Sequence, residues 1–265
     1  MIFYSDMHIH TTASVCCDSN IQKPENIIPI MVARGYKKIG FTDHVWHSKK
    51  VRPSRFYSSQ NGDENLKLHK FIHSHKWEIE VLAGCEADMK APGIFGITTE
   101  LKEKLDFVTM ATDHFHMKGF VMQPSEETPA GLARHMLEFF VSAAKSGLAD
   151  ILAHPFFPYG YTDLYDAAVR TLSDAEFTDA FSIAASNNIG IEINKCYFPN
   201  PQHQRFFSLE TPVRILTLAK KAGCKFTLGS DAHSPNGFKV LDKLQSFAKS
   251  LDLTEEDIHP LAKVG

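Results

Sequence analysis

The chain has 265 residues, 43% of them apolar, and a formal charge of −3 with histidine counted neutral. That allows a sizeable core and gives no net cationic charge to draw the chain to long nucleic acid or anionic lipid. No apolar run approaches the ~20 residues needed to span a bilayer, and the first residues carry no basic and then apolar leader.

Short apolar runs predict strands at Met1–Met7, Lys38–Thr42, Ile79–Cys85, Asp106–Thr112, Asp150–Ala153, Ile189–Ile193 and Lys225–Leu228. Helical stretches lie between them. Asn26–Arg34 is closed by Gly35 and Gly131–Ser146 by Gly147, and a helix opened by Thr211 as N-cap and Pro212 at its first position is closed by Gly223. In the second of these, Leu132, Met136, Phe139, Phe140 and Ala143 form an apolar stripe of helical period. Strands alternating with helices argue for a parallel α/β sheet, and no linker-like stretch divides residues 1–265, so a single domain is expected. The irregular segments His47–Asp63 and Tyr197–Glu210 follow strands and are candidate rims of a site.

Five cysteines without CxxC spacing fit a reducing compartment, so the expectation is a cytoplasmic protein. Histidines number 14, and several stand at strand ends beside carboxylates: Asp6-Met7-His8-Ile9-His10, Thr42-Asp43-His44, Cys85-Glu86, Asp113-His114-Phe115-His116, Ala153-His154-Pro155 and Ser230-Asp231-Ala232-His233. Imidazoles and carboxylates together hold borderline divalent metals. His8 and His10, two apart on a strand, face the same side. Asp43 is read as orienting an imidazole or capping a helix. Glu86 is the candidate bridge between cations, with Asp88 competing for that role. His114 is preferred to His116 as a ligand because it comes first after its strand, and His116 is left to approach substrate. Each phrase alone has an ordinary explanation, a solvated strand end or a hydrogen-bonded core histidine. Their joint recurrence at strand ends, where parallel barrels keep their active sites, points to a metal centre.

These residues resemble the PHP family (polymerase and histidinol phosphatase domains), carried by DMHIHTTAS at Asp6–Ser14, FTDH at Phe41–His44, GCE at Gly84–Glu86, the His114 segment, LAHP at Leu152–Pro155 and GSDAH at Gly229–His233. The resemblance implies a distorted (β/α)7 TIM-like barrel with two or three divalent cations (zinc, manganese or iron) at the C-terminal ends of the strands. It implies a first site of His8, His10, Glu86 and Asp231, and a second in which Glu86 bridges to His114 and His154. A third would hold His44 and His233. Where family members often supply a histidine or aspartate to that third site, this chain has Cys16 and Asp18 as candidates.

The implied chemistry is metal-assisted hydrolysis of a small phosphate monoester, with Glu86, Asp231 and His233 in catalytic roles, of the kind that serves histidine biosynthesis in histidinol phosphatases. Arg52, Arg55, Lys195 and Arg205 are candidate phosphate-gripping cations, and Glu192 is read as a substrate-amine contact or a supporting carboxylate. A nucleotide phosphoesterase of the same fold would need stacking aromatics, for which Phe56, Tyr57, Phe156, Phe157, Tyr159, Tyr161, Tyr197 and Phe198 are candidates. A metal-dependent amidohydrolase is disfavoured, because Asp106–Thr112 lacks a lysine to bridge the metals. A non-catalytic metal-stabilised module would need a closed ligand set.

Overall fold

Ten strands alternate with eight α-helices in a computed structural model that describes residues 3–17, 20–200 and 206–265. The strands are β1 (Ser5–Ile9), β2 (Lys38–Phe41), β3 (His44–Val45), β4 (Glu80–Ala83), β5 (Cys85–Ala91), β6 (Ile94–Phe95), β7 (Val108–Ala111), β8 (Ile151–Ala153), β9 (Gly190–Asn194) and β10 (Lys225–Gly229). The helices are α1 (Pro24–Ala33), α2 (Asp63–His73), α3 (Thr99–Lys102), α4 (Pro129–Lys145), α5 (Tyr165–Thr171), α6 (Asp174–Ser186), α7 (Glu210–Lys221) and α8 (Leu241–Ser250).

Strands β1, β2, β7, β8 and β9 are buried at every position, so the polar side chains they carry, among them Asp6 and His8 on β1 and Glu192 on β9, lie inside as well. Helix α4 buries Leu132, Met136, Phe139, Phe140 and Ala143 as its stripe predicts. It starts two residues earlier than expected, because the Thr128 side chain accepts from Gly131 N–H and Pro129 occupies the first turn. Helix α7 corrects another expectation. Its N-cap is Leu209, and Thr211 lies inside the first turn with its hydroxyl donated to Asp166. Gly35, Gly147 and Gly223 take positive φ just beyond α1, α4 and α7.

All principal strand pairs are parallel, in the orders β1-β2-β4 and β10-β9-β8-β7-β5-β3; only β6 is antiparallel, against β5. The two groups run into each other along the chain, since Thr42-Asp43 joins β2 to β3 and Gly84 joins β4 to β5. Between β1 and β10 no regular ladder forms. That seam holds the isolated bridge Ile9–Ala232 and single bonds, Asp231 N–H to His8 O at 2.7 Å and His10 N–H to Ala232 O at 3.1 Å. The expected barrel is therefore seen as a parallel α/β arrangement with a loosely stitched seam. The cause is local: β10 stops at Gly229, and Asp231 takes φ 49°, which no strand accommodates. Among the described residues, no helix is long and apolar enough to cross a membrane.

Candidate metal centre

Strand ends deliver the imidazoles and carboxylates to one place. Glu86 lies at the middle of the cluster. Its Oε2 is 3.4 Å from His8 Nε2, 3.3 Å from His10 Nε2 and 3.1 Å from His44 Nδ1. Its Oε1 is 3.4 Å from His154 Nε2 and 3.9 Å from His114 Nε2. Three groups of donor atoms result, each within 4.8 Å of one another: His8, His10 and Asp231; Glu86, His114 and His154; and His10, Cys16, His44 and His233.

The hydrogen-bond network assigns the tautomers. His8 Nδ1 lies 2.6 Å from Glu192 Oε1, an acceptor, so the proton is on Nδ1. Ser14 Oγ gives its one proton to Asp43 Oδ1 at 2.7 Å, so His10 Nδ1, 3.1 Å from the same Oγ, must donate to it. His154 Nδ1 donates to Asp113 Oδ1 at 2.9 Å and His114 Nδ1 to Asp88 Oδ1 at 2.8 Å. The Nε2 lone pairs of all four rings therefore point inward, toward a carboxylate that also only accepts. His8 Nε2 and His10 Nε2 face each other at 3.1 Å, a repulsive pair unless a proton or a cation lies between them. Glu86 Oε1 and His44 Nδ1 are buried with no hydrogen-bond partner among protein atoms. Such a set of convergent lone pairs, each ring backed by an acceptor on its other nitrogen, fits divalent cations.

The protonation behaviour agrees. Burial opposes charge on His8, but Glu192, Glu86 and Asp231 outweigh it and raise its pKa well above the usual imidazole value. His154 is raised in the same way by Asp113 and Glu86, and His114 to about 9 by Asp88. Burial also works against charge on Glu86 and Asp231, yet their cationic neighbours hold both carboxyls well below the usual range. With protein groups alone, protons compensate the buried carboxylates. By contrast, burial lowers His44 to about 3 and both His116 and His233 to about 4, leaving those rings neutral at neutral pH.

Two ligand-bearing residues sit on left-handed backbone, His154 at φ 34° and Asp231 at φ 49°. Each costs about 1–3 kcal/mol and persists only where its surroundings over-determine it. His154 N–H is held by Glu192 Oε2 at 2.7 Å, and Asp231 N–H by His8 O at 2.7 Å.

A cavity of about 440 Å³ opens over the cluster. One side carries the donor atoms, and Phe56, Tyr57, Met117 and Tyr159 line the rest together with His116 and Lys195. Lys195 Nζ lies 3.4 Å from Asp231 Oδ2 and also donates to the Asp231 carbonyl.

Several sequence expectations are redirected. Glu192 is buried behind His8 and His154 and lines no part of the cavity, a position that fits the supporting role rather than the substrate-amine contact. Arg52 and Arg55 are exposed and do not line the cavity, because their segment turns outward while Phe56 and Tyr57 turn in. Asp18 and Arg205 lie outside the described residues. Phe156, Phe157, Tyr161, Tyr197 and Phe198 are core residues, leaving Phe56, Tyr57 and Tyr159 as the aromatics of the cavity. Asp88 bridges nothing; it is occupied by His114 Nδ1 and the Tyr57 hydroxyl. Asp113 and Ser14 were not anticipated. A signal existed for Asp113: Thr112-Asp113-His114 repeats Thr42-Asp43-His44, and in both the aspartate supports an imidazole from another strand, Asp113 directly and Asp43 through Ser14.

Parallel strands ending in clustered imidazoles and carboxylates define a class, proteins able to gather divalent cations at strand ends. The chain belongs to the PHP domain family, whose model matches residues 6–196. It is 24% identical over 257 residues to a Deinococcus radiodurans protein named "Probable histidinol-phosphatase", covering 91% of each chain. It is 26% identical over 264 residues to an Aliivibrio fischeri protein named "Probable phosphatase", covering 98% of this chain and 87% of that one. The fold is similar to that of a histidinol phosphate phosphatase from Lactococcus lactis subsp. lactis, solved with zinc, L-histidinol and phosphate, with a TM-score of 0.55, 19% identity, and coverage of 92% and 93%.

Proposed function

We propose that this protein is a metal-dependent phosphatase that hydrolyses a small phosphate monoester, with histidinol phosphate the first candidate. The observation that carries the reading is Glu86, a buried carboxylate whose two oxygens face separate sets of inward lone pairs. Its Oε2 would complete a site with His8, His10 and Asp231, and its Oε1 a site with His114 and His154. Cys16, His44 and His233 would form a third with His10. Bound divalent cations of the zinc, manganese or iron type supply Lewis acidity toward the phosphoryl group and toward an attacking water.

The chain's own residues do the rest. Lys195 grips a phosphoryl oxygen from the cavity wall, its ammonium held in place by Asp231. His116, outside the three donor groups, and Tyr159 contact the leaving group at the mouth. Glu192, Asp113, Asp88 and the Asp43–Ser14 pair keep each ring's Nδ1 proton in place and so present Nε2 inward. His233 Nδ1 donates to the Asp231 carbonyl at 3.0 Å, which aims its Nε2 at the third group.

A second reading concerns the leaving group. Among the described residues, the carboxylates lining the cavity are Glu86 and Asp231 alone, and both are committed to cations. Beside His116 and Lys195, the remaining wall is formed by Phe56, Tyr57, Met117 and Tyr159, which favours recognition of a flat ring over recognition of an amine, and a nucleoside phosphate offers such a ring as histidinol phosphate does. The deciding experiment is phosphate release from histidinol phosphate, p-nitrophenyl phosphate and a nucleoside bisphosphate, before and after chelation. Chelator-sensitive preference for histidinol phosphate supports the first candidate, and preference for the nucleotide supports the second. Turnover that survives both chelation and Glu86→Ala overturns the metal-centre reading.

A further inference from the structure

A second His/Asp cluster lies apart from the cavity. His69 and His73 stand i, i+4 on α2 with ring centroids 4.3 Å apart, so both present Nε2 on one face of the helix. Asp106, in the turn that precedes β7, meets them there. Its Oδ1 is 3.3 Å from His69 Nε2 and 3.0 Å from His73 Nε2. Its Oδ2 accepts from Ala83 N–H at 2.7 Å, which fixes the carboxylate plane, and also lies 2.9 Å from His73 Nε2, so His73 faces both oxygens while His69 faces Oδ1. The donor atoms all lie within 4.8 Å of one another.

We propose that His69, His73 and Asp106 bind a borderline dication of the zinc class, as a surface site separate from the catalytic cluster. The two sites share no residue, and Asp106 enters β7 whereas His114 follows it. Tetrahedral zinc with bonds of about 2.0–2.1 Å places neighbouring ligand atoms about 3.3 Å apart. The nitrogen–oxygen separations, 3.3 Å for His69 and 2.9 and 3.0 Å for His73, lie near that edge. Side-chain exposures of 30% for His69 and 47% for His73 leave solvent free to fill the remaining position. Because the ligands come from the last turns of α2 and from the turn before β7, a bound ion ties the helix end to the sheet.

The test uses the full chain with its catalytic centre intact and zinc alone as the probe. Wild type and the His69→Ala/His73→Ala double variant are equilibrated with zinc, and bound metal per chain is counted. Wild type is expected to hold one more equivalent than the double variant, with the phosphatase rate unchanged between them. Free zinc roughly 100-fold above its Kd for this site should raise the wild-type Tm by about 5 °C more than that of the variant. Asp106→Asn, which keeps an acceptor for Ala83, should lose the same equivalent, and Glu86→Ala should retain it. Equal zinc content and equal thermal response in wild type and the double variant overturn the proposal and leave the cluster as a hydrogen-bonded ion pair.

Discussion

Glu192 holds His8 and His154 at once: Oε1 lies 2.6 Å from His8 Nδ1, and Oε2 accepts the His154 backbone N–H at 2.7 Å. One carboxylate thus sets the tautomer of a ring on β1 and pins the left-handed backbone of a residue beyond β8. Glu192→Gln turns an amide NH₂ toward one of these two donors. The expected result is a loss of about 10- to 100-fold in metal affinity or kcat. A change confined to KM would return Glu192 to the role of a substrate contact.

Gly229 ends β10 directly against that pair. A Cβ there would overlap Glu192 Oε1 and come within 2.7 Å of His8 Cβ. Gly229→Ala must therefore push both side chains away from the cluster. We expect it to lower bound metal and turnover together by about 10-fold or more, at a stability cost of about 1–3 kcal/mol. Wild-type metal content and rate in the variant would show that Glu192 has slack that the packing does not reveal.

Cys16 reaches the group formed by His10, His44 and His233, although burial, with Cys17, Glu86 and Asp231 adding to it, pushes its thiol pKa up. Only a cation at hand makes its thiolate favourable. Protein loaded with cobalt is expected to show a sulfur-to-metal charge-transfer band that Cys16→Ser removes and Cys16→His does not restore, while metal content in Cys16→His stays at the wild-type level. Absence of the band in wild type would exclude sulfur from that site.

Metal loading should release protons. With protein groups alone, His114 has a pKa raised from 6.5 to about 9, and those of His8 and His154 are raised in the same direction by their carboxylate neighbours. A raised folded-state pKa contributes stability that is complete below 6.5 and is lost as pH rises through the folded value. The chelated protein should therefore lose Tm between pH 6.5 and about 9, while the loaded protein, its rings held by cations, should not. Calorimetric zinc titration in buffers of different ionisation enthalpy should show proton release near neutrality that diminishes toward pH 9. Proton-independent binding across that range would show that these rings are already neutral in the metal-free protein and overturn the compensation of the buried carboxylates by protons.

The alternation of strands and helices, and the placement of His8, His10, Glu86, His154 and Asp231 at strand ends, are local properties that run along the chain. Apolar runs, helix-closing glycines and ligand-type residues are each visible within a few neighbours, so the α/β class and the composition of the cluster could be read there. Pairing could not. Glu192 meets His8 across 184 residues and Asp113 meets His154 across 41, and contacts of that range depend on strand order and register. The same holds for the aromatics: Phe157 and Tyr159 are two residues apart, yet one is packed in the core and the other lines the cavity. Sequence determined which donor atoms would arrive at the strand ends. Tertiary structure decided which carboxylate faces which ring, because burial makes an unpaired charge or proton costly and only the assembled sheet brings its partner within reach.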